Sequence, residues 1–224
     1  MSGLLYIVAT PIGNLEDISQ RALNILSSVD LILCEDTRES MKLLGNYNIK
    51  KQLISYHSYS EDEKIPFVIE QLKNGKSIAL ISDSGTPCIS DPGSKLVRAC
   101  IENDIEVKSI PGANSIIPAV VLSGFEIKSF YFEGFIPQKK GRRKVLEEIS
   151  RRKEMTVLFE SPYRIEKLIN ELNQFCPDRE IALCRELTKK FEEVIRGKIS
   201  ELRKKINQLK LKGEFVVIIG PDKS

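Results

Sequence analysis

The chain has 224 residues, 42% hydrophobic and 29% charged, with a net charge of +3. This balance suits a globular protein of one large or two small cores, and its weak overall field leaves any nucleic-acid contact to a local patch. No apolar run approaches a membrane span, and residues 1–15 lack a signal-peptide layout. Five cysteines without a C-x-x-C spacing, beside the single His57, read as reduced cytoplasmic thiols with no metal site.

The elements alternate. Residues 4–9 form an apolar strand closed by Thr10-Pro11-Ile12-Gly13-Asn14. A helix follows, with Ile18, Ala22, Ile25 and Val29 on one face. Strands at 31–34 and 53–55 end in Glu35-Asp36-Thr37-Arg38 and Tyr56-His57. Ser60 and Glu63 have capping-box spacing ahead of a helix carrying Ile65, Val68, Ile69 and Leu72. A fourth strand, 78–81, opens into Asp83-Ser84-Gly85-Thr86-Pro87. Asp91 is the expected N-cap of the next helix and Pro92 its first residue. A fifth strand spans 106–110. Short apolar strands alternating with helices predict an α/β fold whose first sheet is parallel and covered on both faces.

Pro111-Gly112 marks a change of pattern, and two domains, 1–112 and 113–224, are expected. Strands at 130–132, 155–159, 181–185, 193–196 and 215–219 follow, with helices starting near Gly141, at Ser161-Pro162 and near Ser200. The short final connections predict antiparallel pairing, hence a mixed second sheet.

Ligands of open α/β sheets sit outside the carboxyl ends of the strands. Here those ends carry Thr10-Pro11, Glu35-Asp36, His57 and Asp83-Ser84-Gly85. No G-x-x-x-x-G-K-[ST] occurs, and no G-x-G-x-x-G follows the first strand. Carboxylates repel phosphate and suit hydroxyls, amines or cations. A sugar, an amine or a phosphate-free sulfonium nucleoside such as S-adenosylmethionine fits such a crevice.

The segments LYIVATPIGNLEDIS, LILCEDTR, ALISDSGTPCISDPG, YFEGFIP, RELTK and KGEFVVII lie in one order along nearly the whole chain. In this the chain resembles the ribosomal RNA small-subunit methyltransferase I family of the tetrapyrrole methylase superfamily. It departs from the family pattern at Tyr59-Ser60 and at Ala113. The resemblance implies two α/β domains of the tetrapyrrole methylase type with S-adenosylmethionine in the cleft between them. It implies methylation of a decoding-centre cytidine of 16S rRNA at the ribose 2′-oxygen, by a homodimer that meets the rRNA or the small ribosomal subunit. Carried over to this sequence, Pro11, Asp83, Ser84, Gly85, Ile89, Ser90, Pro111, Gly112 and Ser123 are expected around the cofactor. Phe132, Leu187 and Gly213 of the second domain are expected to close over its adenine.

Asp36, Glu35 and His57, at strand ends, are the candidate proton acceptors, although Asp36 also suits a helix N-cap. Glu160 suits a structural partner for Arg164. The run PQKKGRRK places Lys139, Lys140, Arg142 and Arg143 at a helix start, where cations oppose the helix dipole and phosphate would supply the missing field. Arg21 and Arg38 are secondary RNA candidates. Methylation of a tetrapyrrole or other small molecule, and a non-enzymatic RNA-binding module, stand as the alternatives.

Overall fold

The computed structural model describes residues 3–222, and these form two compact units, one up to Asn114 and one from Ser115. The first contains β1 (Leu4–Val8), α1 (Gln20–Ser28), β2 (Leu31–Cys34), α2 (Thr37–Asn46), β3 (Gln52–Ser55), α3 (Glu61–Lys73), β4 (Ile78–Leu80), α4 (Ser94–Glu102) and β5 (Glu106–Ile110). Its sheet is wholly parallel in the order β3-β2-β4-β1-β5.

Both faces of this sheet are apolar, because side chains alternate along each strand. Leu5, Ile7, Leu31, Leu33, Ile78 and Leu80 pack against Val68 and Leu72 of α3 and Leu96 and Cys100 of α4. Val8, Ile32, Cys34 and Ala79 pack against Ala22 and Leu26 of α1 and Leu44 of α2. The chain therefore leaves β1 and β2 toward one face and β3 and β4 toward the other. In the sheet β4 lies between β2 and β1, so a crevice opens on each side of its carboxyl end.

Two expected caps take a different form. α4 begins at Ser94 with Gly93 as N-cap, not at Pro92 after Asp91. The reason is backbone geometry: Cys88 and Ser90 adopt φ of 72° and 66° and Gly93 adopts 130°, so the loop runs on past Asp91. Ser60 precedes α3 without a side-chain cap bond, since its hydroxyl is engaged with the amide and carbonyl of His57 at 3.2 and 3.1 Å.

The second unit contains α5 (Ile116–Ser123), β6 (Phe130–Phe135), α6 (Arg142–Arg151), β7 (Met155–Glu160), α7 (Ile165–Phe175), β8 (Glu180–Arg185), β9 (Glu193–Lys198), α8 (Ile199–Lys205) and β10 (Phe215–Ile219). Its sheet has the order β6-β7-β10-β8-β9, with β6 and β7 parallel and the other pairs antiparallel. It is mixed, as the short connections predict. Leu158, Ile181, Leu183, Phe215 and Val217 form a core with α6, α7 and α8. α5 packs on β8 and β10, where Cys184 Sγ lies 3.7 Å from the Ala119 carbonyl. Among the described residues no helix is long and apolar enough to cross a membrane.

Candidate functional site

The loop after β4 is anchored on its neighbours. Thr10 and Gly85 form an isolated antiparallel bridge, with N–H···O distances of 2.8 and 3.1 Å. The Thr10 hydroxyl donates to the Ser82 carbonyl at 3.1 Å, and Ser82 Oγ donates to the Gly85 carbonyl at 3.1 Å. Thr86 Oγ1 donates to the Ala113 carbonyl at 3.1 Å, tying the loop to the segment after β5. Asp83 Oδ1 accepts the Asp36 amide at 3.2 Å, which joins the ends of β4 and β2. The structure thus brings Pro11, Glu35, Asp36, Asp83, Ser84, Gly85, Pro111 and Gly112 to one edge of the parallel sheet. Ile89 and Ser90 lie exposed on the same loop.

The electrostatics of this edge are unusual. Burial, with the charges of Glu35 and Asp83, pushes the Asp91 carboxyl up to about 6. Glu35 is also raised, by burial and then by Asp83, against a smaller opposing effect of His57. Asp83 is raised by partial desolvation, while its hydrogen bond from the Asp36 amide acts the other way. Burial is the main cause for all three carboxyl groups; the charge of Asp83 adds to it at Glu35, those of Glu35 and Asp83 add to it at Asp91, and a nearby cation would favour the ionised forms. Among the described residues no three His, Cys, Asp or Glu side chains are placed to hold a metal ion.

Asp36 is different. It is the N-cap of α2, accepting the Arg38 amide at 2.8 Å and the Arg38 guanidinium at 2.7 and 3.2 Å. The Arg38 side chain and amide together pull its carboxyl down to about 2. His57 Nδ1 is buried without a hydrogen-bond partner.

In the second unit, Leu187 and Gly213 are brought together by Glu186. Its carboxylate accepts the Glu214 amide at 2.9 Å and pairs with Lys189 at 3.1 Å. Gly213 has φ of 96°, and a Cβ there would sit 2.5 Å from the Glu186 carboxyl, so only glycine admits this contact. Phe132 is half-buried, edge-on to Phe159 at 5.2 Å.

Residues 4–203 match the family model of the tetrapyrrole (corrin/porphyrin) methylases. The chain is 44% identical over 217 residues to the ribosomal RNA small subunit methyltransferase I of Thermotoga maritima, covering 97% of this chain and 98% of that protein. It is also 44% identical to the protein of that name from Bacillus subtilis, covering 97% of this chain and 75% of the relative. The chain belongs to the ribosomal RNA small subunit methyltransferase I family. The fold is shared with the uroporphyrin-III-C-methyltransferase of Thermus thermophilus, at a TM-score of 0.67, 19% identity and coverage of 99% and 93%. A cobalt precorrin-4 methyltransferase aligns at a TM-score of 0.69, 15% identity and coverage of 97% and 94%.

One expectation for this methyltransferase-family chain is corrected. Arg142 is not an RNA-facing cation. It is 4% exposed and bound to Glu171 at 2.6 Å, Glu160 at 3.7 Å and the Pro137 carbonyl at 3.1 Å. Glu160 also pairs with Arg164 at 2.7 Å, the structural partnership expected from the sequence. Ser123, expected with Pro111 and Gly112 along one wall of the cofactor site, ends α5 in the second unit. Its buried hydroxyl donates to the Val120 carbonyl at 2.7 Å and accepts the Phe125 amide at 3.2 Å, closing α5. It faces a cavity of about 670 Å³ among Lys128, Met155, Glu180 and Asp222, at the end of the sheet where β6, β7 and β8 begin.

Of the other basic candidates, Lys139, Lys140 and Arg143 are exposed, but Arg143 pairs with Glu147 at 3.0 Å on its own helix. Arg21 lies 3.5 Å from the Ser109 carbonyl, and Arg38 is taken up by Asp36. Sequence reasoning missed Glu61, Glu186 and the coupling of Asp91 to Glu35 and Asp83. The acidic character of the loop was the one visible signal.

Proposed function

We propose that this chain methylates small-subunit ribosomal RNA, moving a methyl group from S-adenosylmethionine to the ribose 2′-oxygen of a decoding-centre cytidine in 16S rRNA. The observation that carries this reading is the acidic, phosphate-averse edge where the ends of β2 and β4 meet, with Glu35 and Asp36 beside Asp83 through the Asp36 amide and Asp91 further along the same loop, in a chain of this family. This edge suits a ligand carrying sulfonium and ammonium charges and no phosphate. Asp83, Ser84, Ser90 and the backbone near Gly85 would hold the methionine and ribose parts. Pro11, Ile89, Pro111 and Gly112 would line the walls, and Phe132, Leu187 and Gly213 would take the adenine.

When bound, the cofactor supplies an electrophilic methyl carbon and leaves as a neutral thioether. The chain's own residues then have two tasks, to align the 2′-oxygen and to accept its proton. We assign the proton to Glu35, because its raised carboxyl is a stronger base than Asp36, which is held by Arg38. His57, beside Glu35, is assigned to tuning that carboxylate. A cytoplasmic homodimer completes the reading; the five free cysteines and the family resemblance support it.

The test is ribose-methylation mapping of small-subunit rRNA from cells with and without the protein. Loss of a single cytidine 2′-O-methyl group is expected in its absence. An unchanged map, or efficient methyl transfer to a tetrapyrrole with none to rRNA, overturns the reading.

A further inference from the structure

The carboxyl ends of β6 and β7 present two bare aromatic rings on a tightly braced frame. Phe135 ends β6 opposite Phe159 of β7. Its ring rests on Phe159 at a centroid distance of 5.5 Å, and it is 55% exposed. Tyr163 lies just past the end of β7 and is 95% exposed. Yet the turn that carries it is firmly held. The Tyr163 amide donates to Ser161 Oγ at 3.3 Å, the Arg164 amide donates to the Ser161 carbonyl at 2.9 Å, and the Ser161 amide donates to Glu160 Oε1 at 2.8 Å.

The buried ion network then joins this turn to the connection after β6. Glu160 pairs with Arg164 on one side and Arg142 on the other, and Arg142 holds the Pro137 carbonyl. Phe135, at the end of β6, and Tyr163, in the turn after β7, therefore lie at the two ends of one buried ion network. Between Phe135 and α6 the connection carries Lys139 and Lys140, both exposed, and no acidic residue. Arg143 and Lys144 are neutralised along α6 by Glu147 and Glu148.

Exposed rings on a held backbone, beside an exposed lysine pair, match one chemistry best. Unpaired RNA offers flat base faces for the rings and phosphates for the lysines. We propose that Phe135 and Tyr163 stack on unpaired bases of the RNA substrate while Lys139 and Lys140 take adjacent phosphates. The proposal rests on the methyltransferase reading above. A double helix offers no such base faces, so the surface selects an opened or looped segment.

Binding of the full chain to an unmodified small-subunit rRNA transcript, measured by filter retention across a salt series, tests this. Tyr163→Ala and Phe135→Ala should each weaken binding about 5- to 150-fold and leave the salt slope unchanged. Tyr163→Phe should bind like the parent, since stacking needs the ring and not the hydroxyl. Replacing Lys139 and Lys140 together by alanine should flatten the slope by about two phosphate contacts. Parent-like affinity in both alanine variants, or a defect in Tyr163→Phe equal to that of Tyr163→Ala, overturns the stacking role while leaving the methyltransferase reading intact. A parent chain that binds no rRNA and methylates none overturns both.

Discussion

Glu61 and Gly93 meet across 32 positions of sequence, the buried carboxylate accepting the glycine amide at 2.8 Å. The same oxygen accepts the Tyr56 hydroxyl at 3.2 Å. Glu61 thereby caps α4 from another helix and fixes the far end of the loop that begins at Asp83. A side chain at Gly93 would be strained, because its φ is 130° and a Cβ would also displace Leu80 Cδ2 at 2.5 Å and Cys88 Sγ at 2.7 Å.

Removing the Glu61 side chain strands two buried donors, at about 1–3 kcal/mol each. Glu61→Ala should lose about 2–4 kcal/mol in urea denaturation and bind S-adenosylmethionine more weakly. Glu61→Gln keeps one acceptor oxygen and should lose much less. Equal stability of the alanine variant and the parent would remove the cap role.

Asp83 offers a cleaner separation of fold from ligand. It is exposed, and among the described residues the one hydrogen bond to its carboxylate comes from the Asp36 amide. Asp83→Ala should stay within about 1 kcal/mol of the parent, as surface changes usually do. Its S-adenosylmethionine binding in calorimetry should be abolished. Unchanged affinity in a folded variant would move the cofactor away from this loop.

Asp91 links the site to pH. Its folded value of about 6 lies above the ordinary carboxyl value of 3.8. The folded state therefore binds more protons than the unfolded state between those values, and stability falls as pH rises through them, then levels off. The cost is at most about 3 kcal/mol. Asp91→Asn should be more stable than the parent at pH 7 and no more stable below pH 4. A cationic ligand has the opposite preference, for the ionised cluster. Cofactor affinity should rise with pH up to about 6, with proton release on binding near pH 5.5 that shrinks in Asp91→Asn. A flat affinity profile from pH 5 to 7 would contradict the charge pairing.

Much of this architecture was legible, for a physical reason. Strands of a sheet covered on both faces must be apolar throughout, so Leu31–Cys34 and Phe215–Ile219 announce themselves. α5 escaped because its run Ile116–Ser123 is apolar all round, contains Pro118 and follows Pro111-Gly112, and so reads as a boundary. The start of α4 misled because the local Asp-Pro signal is overridden by Glu61, a partner no local pattern contains. Arg142 is the same case in the second unit. A run of cations shows charge but cannot show that Glu171, 29 residues on, claims one of them.

That claim has a measurable consequence. Breaking one side of a buried ion pair typically costs about 3–5 kcal/mol, since the partner charge is left uncompensated. Arg142→Ala should therefore be destabilised on that order in chemical denaturation. Replacing the exposed Lys139 by alanine should leave stability unchanged. An Arg142→Ala variant with parental stability and a flattened RNA salt slope would restore its role as a phosphate contact.

The proton acceptor is the sharpest point of decision between neighbours. Glu35 and Asp36 are adjacent at the end of β2, yet their environments push them apart. Arg38 keeps Asp36 ionised down to about pH 2, which makes it a weak base, and its oxygens already accept the Arg38 amide and guanidinium. Glu35 is raised by burial and by Asp83, so it holds a proton more readily. Asparagine caps a helix about as well as aspartate, so Asp36→Asn preserves the start of α2. We expect Asp36→Asn to keep single-turnover methylation within a few-fold of the parent. Glu35→Gln should lose about 10²–10⁴-fold while still binding cofactor and RNA. The parental rate should rise with pH through the raised Glu35 value, and that limb should vanish in Glu35→Gln. A large defect in Asp36→Asn beside a near-normal Glu35→Gln would return the proton to Asp36. A defect confined to His57→Gln would give it to the histidine.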